Sequence, residues 1–271
     1  MPDPSGVRPP LVAIKSAHDI GSAVAHRLKG EGYAPVLLEL PTPGATRRLM
    51  SFAGAVRGGE AELEGLRAVR CGSAERVVSM AGGSGVIPLW VAPWEAPLPW
   101  PVAVVVDARM RKKEEPPVQI GEAPLVIGIG PGFVAGVHVH AVIESNWGEA
   151  LGRVIREGGS QPYTGQHREV SGLGAERYVY APAAGVFRTG RELLERVRPG
   201  DEVGTLGAEV LRARAGGILR GLADSGLKVE AGAKLVEVDP TGDPENCRGI
   251  ANRPARIAEG VLEAIRKVAP A

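Results

Sequence analysis

Four glycines within nine residues, Gly128-Ile-Gly130-Pro131-Gly132-Phe133-Val-Ala-Gly136, form the densest chemical signal in the chain. A loop of this kind turns backbone N–H groups toward an anion, or it makes turns that need positive φ. A polar stretch follows, Glu144-Ser145-Asn146-Trp147, with Arg153 and Tyr163-Thr164-Gly165 beyond it. There Asn146 can orient a substrate and Arg153 can hold an anion, or Arg153 can pair with a carboxylate inside the fold. His138 and His140 are one residue apart, so on a strand they project from one face. With Glu144 and His167 they would begin a zinc or copper site; otherwise they are two histidines on a solvated face. No metal is assigned, and no cofactor is named.

A second candidate is the first strand-to-helix turn, Ser16 to Ser22. A helix N-terminus offers free N–H groups and the positive end of a dipole. Glu39, about twenty residues on, stands where dinucleotide folds place the carboxylate that binds ribose. The full G-x-G-x-x-G is absent, and side chains on Ser16 and His18 crowd a pyrophosphate. The plainer role for Asp19 is to cap the helix. Between the two loops, the main ligand site is expected at Gly128 to Gly136. Cys247 is the candidate nucleophile: Arg248 beside it and a helix just after it would both lower a thiol pKa. A thiolate there could carry sulfur or selenium, whereas a partly buried cysteine would be inert. Cys71 reads as core.

These groups need elements to hold them. PLVAI (10 to 14), APVLLEL (34 to 40), Leu66 to Cys71, VIPLWVAP, PVAVVVDAR (101 to 109) and PLVIGIG (124 to 130) read as strands. Helices are expected over His18 to Gly30, Arg47 to Val56 and Ala74 to Ala81. Continuous Val/Ile runs alternating with helices indicate a parallel sheet covered on both faces. The fold class is therefore α/β, a Rossmann-like parallel-sheet domain over residues 1–170. Past Val170 the strands shorten and glycine turns multiply. Two half-patterns recur there, APAAGVF with VRPGDEVG and ARAGGIL with VEAGAKL, about thirty residues apart. Such duplication indicates two hairpins folded on one another, over 171–245. The remainder, 246–271, ends in an amphipathic helix with Ile257, Val261, Ile265 and Val268 on one stripe, expected to pack back.

Composition narrows the function. Lys and Arg number 32 against 31 Asp and Glu, a net charge of +1, which argues against a nucleic-acid or membrane-surface partner. Aromatics at 4% are too few for base-stacking platforms, and two cysteines exclude a disulfide scaffold. The opening MPDPSGVRPP has no apolar signal segment, and no run is long enough to cross a membrane. A reduced, cytoplasmic protein is expected.

The duplicated half-pattern resembles the biotinyl/lipoyl barrel-sandwich hybrid. That resemblance implies a carrier lysine at the hairpin joining the halves. Here the joint, VGTLGAEVLRARAGG (203 to 217), has none, and Lys228 and Lys234 lie off the tip, so an unmodified barrel is expected. The whole chain resembles the YqeB-type accessory proteins of the selenium-dependent molybdenum hydroxylase system. The resemblance rests on APLVIGIGPGFVAGVHVHAVIESNWG, LGRVI, YTG, the barrel, VDP and EGVLEAI, in that order. The family's first turn reads Arg-Gly-Ala-Gly-Asp, where this chain has Lys15-Ser16-Ala17-His18-Asp19. It also carries Asp-x-Asp where this chain has His138-Val139-His140. The resemblance implies a maturation role, with a small anionic ligand and a molybdenum hydroxylase or its other maturation factors as partners. The alternatives are a nucleotide-dependent oxidoreductase with a degenerate site, using Asp19 and Glu39, and a ligand-free scaffold.

Overall fold

The computed structural model describes residues 10–83, 85–111 and 115–267, and the chain forms two compact units. Neither unit is one continuous stretch. Unit 1 combines Met1–Pro41, Ser51–Tyr163 and Asn252–Ala271, and unit 2 combines Thr42–Met50 with Thr164–Ala251. The C-terminal helix therefore belongs to the α/β unit. The short segment 42–50 belongs to the β unit. Most of the opening decapeptide and Val268 lie outside the described residues.

Unit 1 begins with β1 (Leu11–Lys15), α1 (Asp19–Gly30) and β2 (Ala34–Glu39). It continues with α2 (Ala55–Gly58), β3 (Glu60–Leu63), β4 (Leu66–Cys71), α3 (Ala74–Ala81) and β5 (Val86–Val91). Then follow β6 (Val104–Asp107), β7 (Leu125–Ile129), β8 (Val134–Ala135), β9 (Ala141–Ile143), β10 (Val154–Ile155) and β11 (Gly158–Gly159). One nine-stranded sheet runs β10-β9-β7-β6-β1-β2-β5-β4-β3. Six of its strands, β5-β2-β1-β6-β7-β9, are parallel and take the 3-2-1-4-5-6 order of doubly wound sheets. The parallel β4 and the antiparallel β3 extend one edge, and the antiparallel β10 closes the other.

Strand alternation splits the apolar side chains between two faces. Ala13, Val36, Val105, Val126 and Val142 pack with Val77 and Ala81 of α3 and with Phe133. The opposite face receives α1 and the C-terminal helix α4 (Asn252–Arg266), whose Ile257, Val261 and Ile265 are buried. Glycine sets two close approaches on that face. A Cβ on Gly21 of α1 would lie 1.9 Å from the Ser16 carbonyl oxygen, and one on Gly260 of α4 would lie 2.0 Å from that of Gly152. Among the described residues no helix is long and apolar enough to cross a membrane.

Unit 2 is all β. Its first half supplies β12 (Tyr178–Tyr180), β13 (Gly185–Arg188), β14 (Arg196–Val197) and β15 (Glu202–Leu206). Its second supplies β16 (Glu209–Arg212), β17 (Gly217–Leu222), β18 (Lys228–Val229) and β19 (Lys234–Asp239). The sheets are β12-β19-β17-β14 and β16-β15-β13-β18. Exchanging each strand for its counterpart in the other half converts one sheet order into the other. The exchange is reciprocal: β13 pairs with β18, and β14 with β17. Phe187, Val203, Leu219 and Leu235 fill the core between them. The halves join at the β15–β16 hairpin, whose tip is Gly207-Ala208.

The helix expected over Arg47 to Val56 does not form. Arg48–Met50 is a single 3-10 turn, and α2 covers only Ala55–Gly58. The first part of the segment is drawn onto the β17 strand, where Leu222 N–H donates to the Thr46 carbonyl at 2.9 Å. Gly221 makes room, since a Cβ there would stand 3.2 Å from Thr46 Oγ1.

Candidate functional site

The carboxyl ends of β1 and β6 are neighbours in the sheet, with Lys15 paired to Asp107. They meet where the strand order reverses, the crevice at which open α/β sheets bind ligands. Both side chains are buried. Lys15 Nζ donates to Gln119 Oε1 and to Glu122 Oε2, each at 2.6 Å. Gln119 Nε2 donates to Asp107 Oδ2 at 2.8 Å, so one amide ties the two strand ends together. Arg109 caps the other side of Asp107, Nη2 to Oδ2 at 2.5 Å and Nε to Oδ1 at 3.0 Å. Burial pushes the Asp107 pKa up, but Arg109 and Gln119 outweigh it and hold the carboxyl below the usual aspartate value. Asp107 is an anion here, and Lys15 has an acceptor for two of its three donors.

The turn after β1 adjoins this network. Ser16 is buried with φ at +99°, a conformation that costs a residue with a Cβ energy and that glycine adopts freely. Its Oγ accepts from the His18 N–H at 3.2 Å. Glu39 at the end of β2 reaches back, Oε2 accepting the Ala17 N–H at 2.7 Å and Oε1 the Leu40 N–H at 2.9 Å. A carboxylate of the protein thus occupies a donor that a phosphate would take. Ser22 is likewise spent, donating to the Ala17 carbonyl and accepting from the Phe52 N–H, both at 2.8 Å. The residue at the N-cap of α1 is His18, whose side chain makes no capping bond, and Asp19 stands one place inside the helix.

The glycine loop follows β7 as expected, yet its glycines answer to packing and turn geometry. A Cβ on Gly128 would fall 2.5 Å from the Phe133 ring, and one on Gly130 would fall 2.9 Å from Ser145 Oγ. Gly130, Gly132 and Gly136 have positive φ. Two of the loop's N–H groups are spent inside the fold: Gly130 donates to Ile143, and Gly136 to Val139. These two donors are therefore not free for the anion expected at Gly128 to Gly136.

The polar stretch beyond the loop is also structural. Glu144 is buried and accepts the N–H groups of Ser145, Asn146 and Gln161, each at 2.8 Å. Asn146 Nδ2 donates to the carbonyl of Pro162 at 3.2 Å, and Arg153 is exposed. His138 and His140 do not share a strand face. They flank Val139 in the turn before β9, and each Nδ1 accepts a backbone N–H, from Val134 and Val126 respectively. His167 lies in unit 2, its ring centroid 4.4 Å from that of Tyr178. Among the described residues no three His, Cys, Asp or Glu side chains form a metal-binding group.

Cys247 is corrected most sharply. It is fully buried in unit 2, and burial together with Asp239 pushes the thiol up to about 11. Arg220 pulls the other way and is outweighed. Such a thiol is protonated at neutral pH and inert as a nucleophile. The sequence reading does not bring Lys15 together with Asp107, Arg109 and Gln119. For Lys15, Asp107 and Arg109 the available signal was a place at or just past the end of an apolar strand run, where a charge has no reason to be buried unless partnered.

No protein-family model matches the chain. In sequence it is similar to YqeB, an uncharacterized protein of Escherichia coli (strain K12), with 36% identity over 262 residues. The match takes in 97% of this chain and 48% of that protein, so the chain spans about half the length of the curated relative it matches. Among solved structures, a succinylglutamate desuccinylase/aspartoacylase from Rhodobacter sphaeroides shares 28% identity over 24% of this chain and 22% of its own, at a TM-score of 0.21. An aspartoacylase family protein from Mesorhizobium loti covers 86% of this chain and 85% of its own at 14% identity and a TM-score of 0.26. Neither score corresponds to a shared fold.

Proposed function

We propose that this chain is an accessory factor in the maturation of selenium-dependent molybdenum hydroxylases, holding a small anionic molecule at the β1/β6 edge of unit 1. The observation that carries the ligand site is the buried Lys15–Gln119–Asp107 bridge at the reversal point of the parallel sheet. Glu122, whose side chain is 39% exposed, is the acceptor on Lys15 that an incoming anion displaces. The buried Gln119 stays in place and fixes the ammonium. Arg109, held in place by Asp107, orients the rest of the ligand through the N–H groups it does not spend on that carboxylate. The maturation role is supported by the ordered motifs of the YqeB type and by similarity to YqeB along 97% of the chain. In this reading unit 2 is an unmodified barrel-sandwich of the biotinyl/lipoyl kind, which serves by shape, and the partner is a hydroxylase or another maturation factor.

The test is made in cells producing such a hydroxylase. Without this chain the hydroxylase should accumulate as protein but lose its selenium-dependent activity, and Lys15→Met should do the same. Full activity in its absence overturns the role. A second reading, a nucleotide-dependent oxidoreductase, is favoured by the strand order β5-β2-β1-β6-β7-β9. Against it, Glu39 is spent on Ala17 and Leu40. Thermal unfolding with NAD, NADP, ATP and CTP separates the two, because a ligand at a hundred times its Kd adds about 2.7 kcal/mol. Stabilisation by a nicotinamide nucleotide, lost in Glu39→Gln, would select the second.

A further inference from the structure

Unit 2 holds a second, unassigned charge cluster on the β12-β19-β17 sheet. Glu237 of β19 is wholly buried and is approached by Arg47, Arg177, Arg220 and Lys234. Arg47 binds it as a fork, Nε to Oε2 and Nη2 to Oε1, each at 2.8 Å. Lys234 Nζ donates to Oε2 at 3.1 Å, and Arg177 Nη2 to Oε1 at 3.4 Å. With these three in place the carboxylate's oxygens are occupied. Arg220 is left over. Its Nε stands 4.0 Å from Glu237, its Nη1 stands 3.8 Å from Asp239, and neither reaches hydrogen-bond distance. The Nε is buried without a hydrogen-bond partner although the side chain is only 15% exposed. Leaving a guanidinium N–H unmade in a desolvated place is costly.

The backbone is shaped to hold Arg220 there. The β17–β19 register shifts between Leu219 and Gly221, so Arg220 is the extra residue of a β-bulge. Bulges re-aim a side chain at the expense of a ladder bond. Beside the cluster, Tyr178 lies under both Arg177 and Lys234, each 5.5 Å from its ring centroid. Tyr180 adds an exposed ring.

We propose that Arg220, with Lys234 and Arg47 at its side, binds the phosphate group of a phosphate monoester. The class follows from charge and geometry. Cations outnumber carboxylates four to two in this cluster, and a phosphate monoester carries about two negative charges at neutral pH. A planar fork meets a tetrahedral oxyanion with two parallel N–H···O bonds. The exposed Tyr180 ring offers a face for the esterified group. This site lies within unit 2 and does not depend on the β1/β6 reading of unit 1.

The test titrates the full chain calorimetrically with inorganic phosphate, at an ionic strength held constant with chloride. Wild type should bind one phosphate saturably, more tightly at pH 8 than at pH 5.5, where the monoanion prevails. Arg220→Gln and Lys234→Gln should each weaken binding at least tenfold. Lys228→Gln, an exposed cation outside the cluster, should leave it unchanged. Should Arg220→Gln fail to fold, Lys234→Gln decides alone. Absence of saturable binding by wild type, or binding that both variants retain, overturns the proposal.

Discussion

In unit 1, Lys15 is held at 2.6 Å by two acceptors, and Asp107 accepts from both Arg109 and Gln119. In unit 2, three cations close on Glu237 while a fourth, Arg220, stops 3.8 to 4.0 Å short of the two nearest carboxylates. Both clusters are buried in β-sheet, yet one is saturated and the other is not. Bond geometry accounts for the contrast better than charge count. A carboxylate has about four lone-pair sites, and the Arg47 fork, Lys234 and Arg177 take them all. The comparison teaches that a buried ionic network can be structurally complete at its centre and chemically open at its rim.

The largest test falls on that centre. Glu237→Gln strips four cations of their shared anion and should destabilise the protein by about 3–5 kcal/mol in urea denaturation, as breaking a buried pair does. Burial opposes the Glu237 charge, but Lys234, Arg47 and Arg220 depress its pKa well below the usual value. A depressed folded pKa gives stability that is present above the unfolded value, near 4.3, and is lost as pH falls toward the folded one. Wild type should therefore lose stability below about pH 4, and the variant should lack that part of the slope. Equal acid slopes would break the comparison.

Asp107→Asn should cost less, about 2–3 kcal/mol, because Asn still accepts from Gln119 while the charge-assisted bonds to Arg109 weaken. A cost equal to that of Glu237→Gln would mean that the unit 1 network is no more forgiving than the other. Ser16→Gly sharpens the picture on a smaller scale. It relieves the strain at φ +99° and forfeits a bond of 3.2 Å to the His18 N–H. The expected net is a gain of up to about 1 kcal/mol, read as a raised Tm. Loss of stability would show that the Ser16 hydroxyl matters more than its backbone. The smallest effect concerns Cys247. In native Cys71→Ala protein its alkylation should have a midpoint near pH 11, and a midpoint below about 8.5 would refute the burial argument.

The parallel sheet was legible because strands buried on both faces read as unbroken Val/Ile runs, as in VAVVVDAR and LVIGIG. The duplication in unit 2 was legible because glycine and valine recur at matching places. What the sequence concealed depends on distant partners. Nothing local marks Thr42–Met50 as part of the β unit, since its affinity is for Leu222 and Glu237. Cys247 was misjudged from its neighbour Arg248, whereas in the fold it faces Asp239, Glu237 and Asp243. The alternation at His138 and His140 suggested a strand, but Gly136 starts a turn there. Lys15 and Asp107 were overlooked because each looks like an ordinary strand-end charge until its partner 104 or 12 residues away is known.

The Arg47 fork on Glu237 spans 190 residues of chain. At a synthesis rate of 5–20 residues per second, Arg47 waits roughly 10–40 s for its partner to be made. The reciprocal strand exchange adds to the delay, for one sheet of unit 2 waits for β18 and the other for β19. Unit 1 waits longer still, because α4 packs on Ile143 and is translated after the strands it covers. The nascent chain therefore carries an incompletely covered Val/Ile sheet from β10 until α4 is made. Its yield in a cell should depend on translation speed and on chaperone supply more steeply than its final stability would suggest.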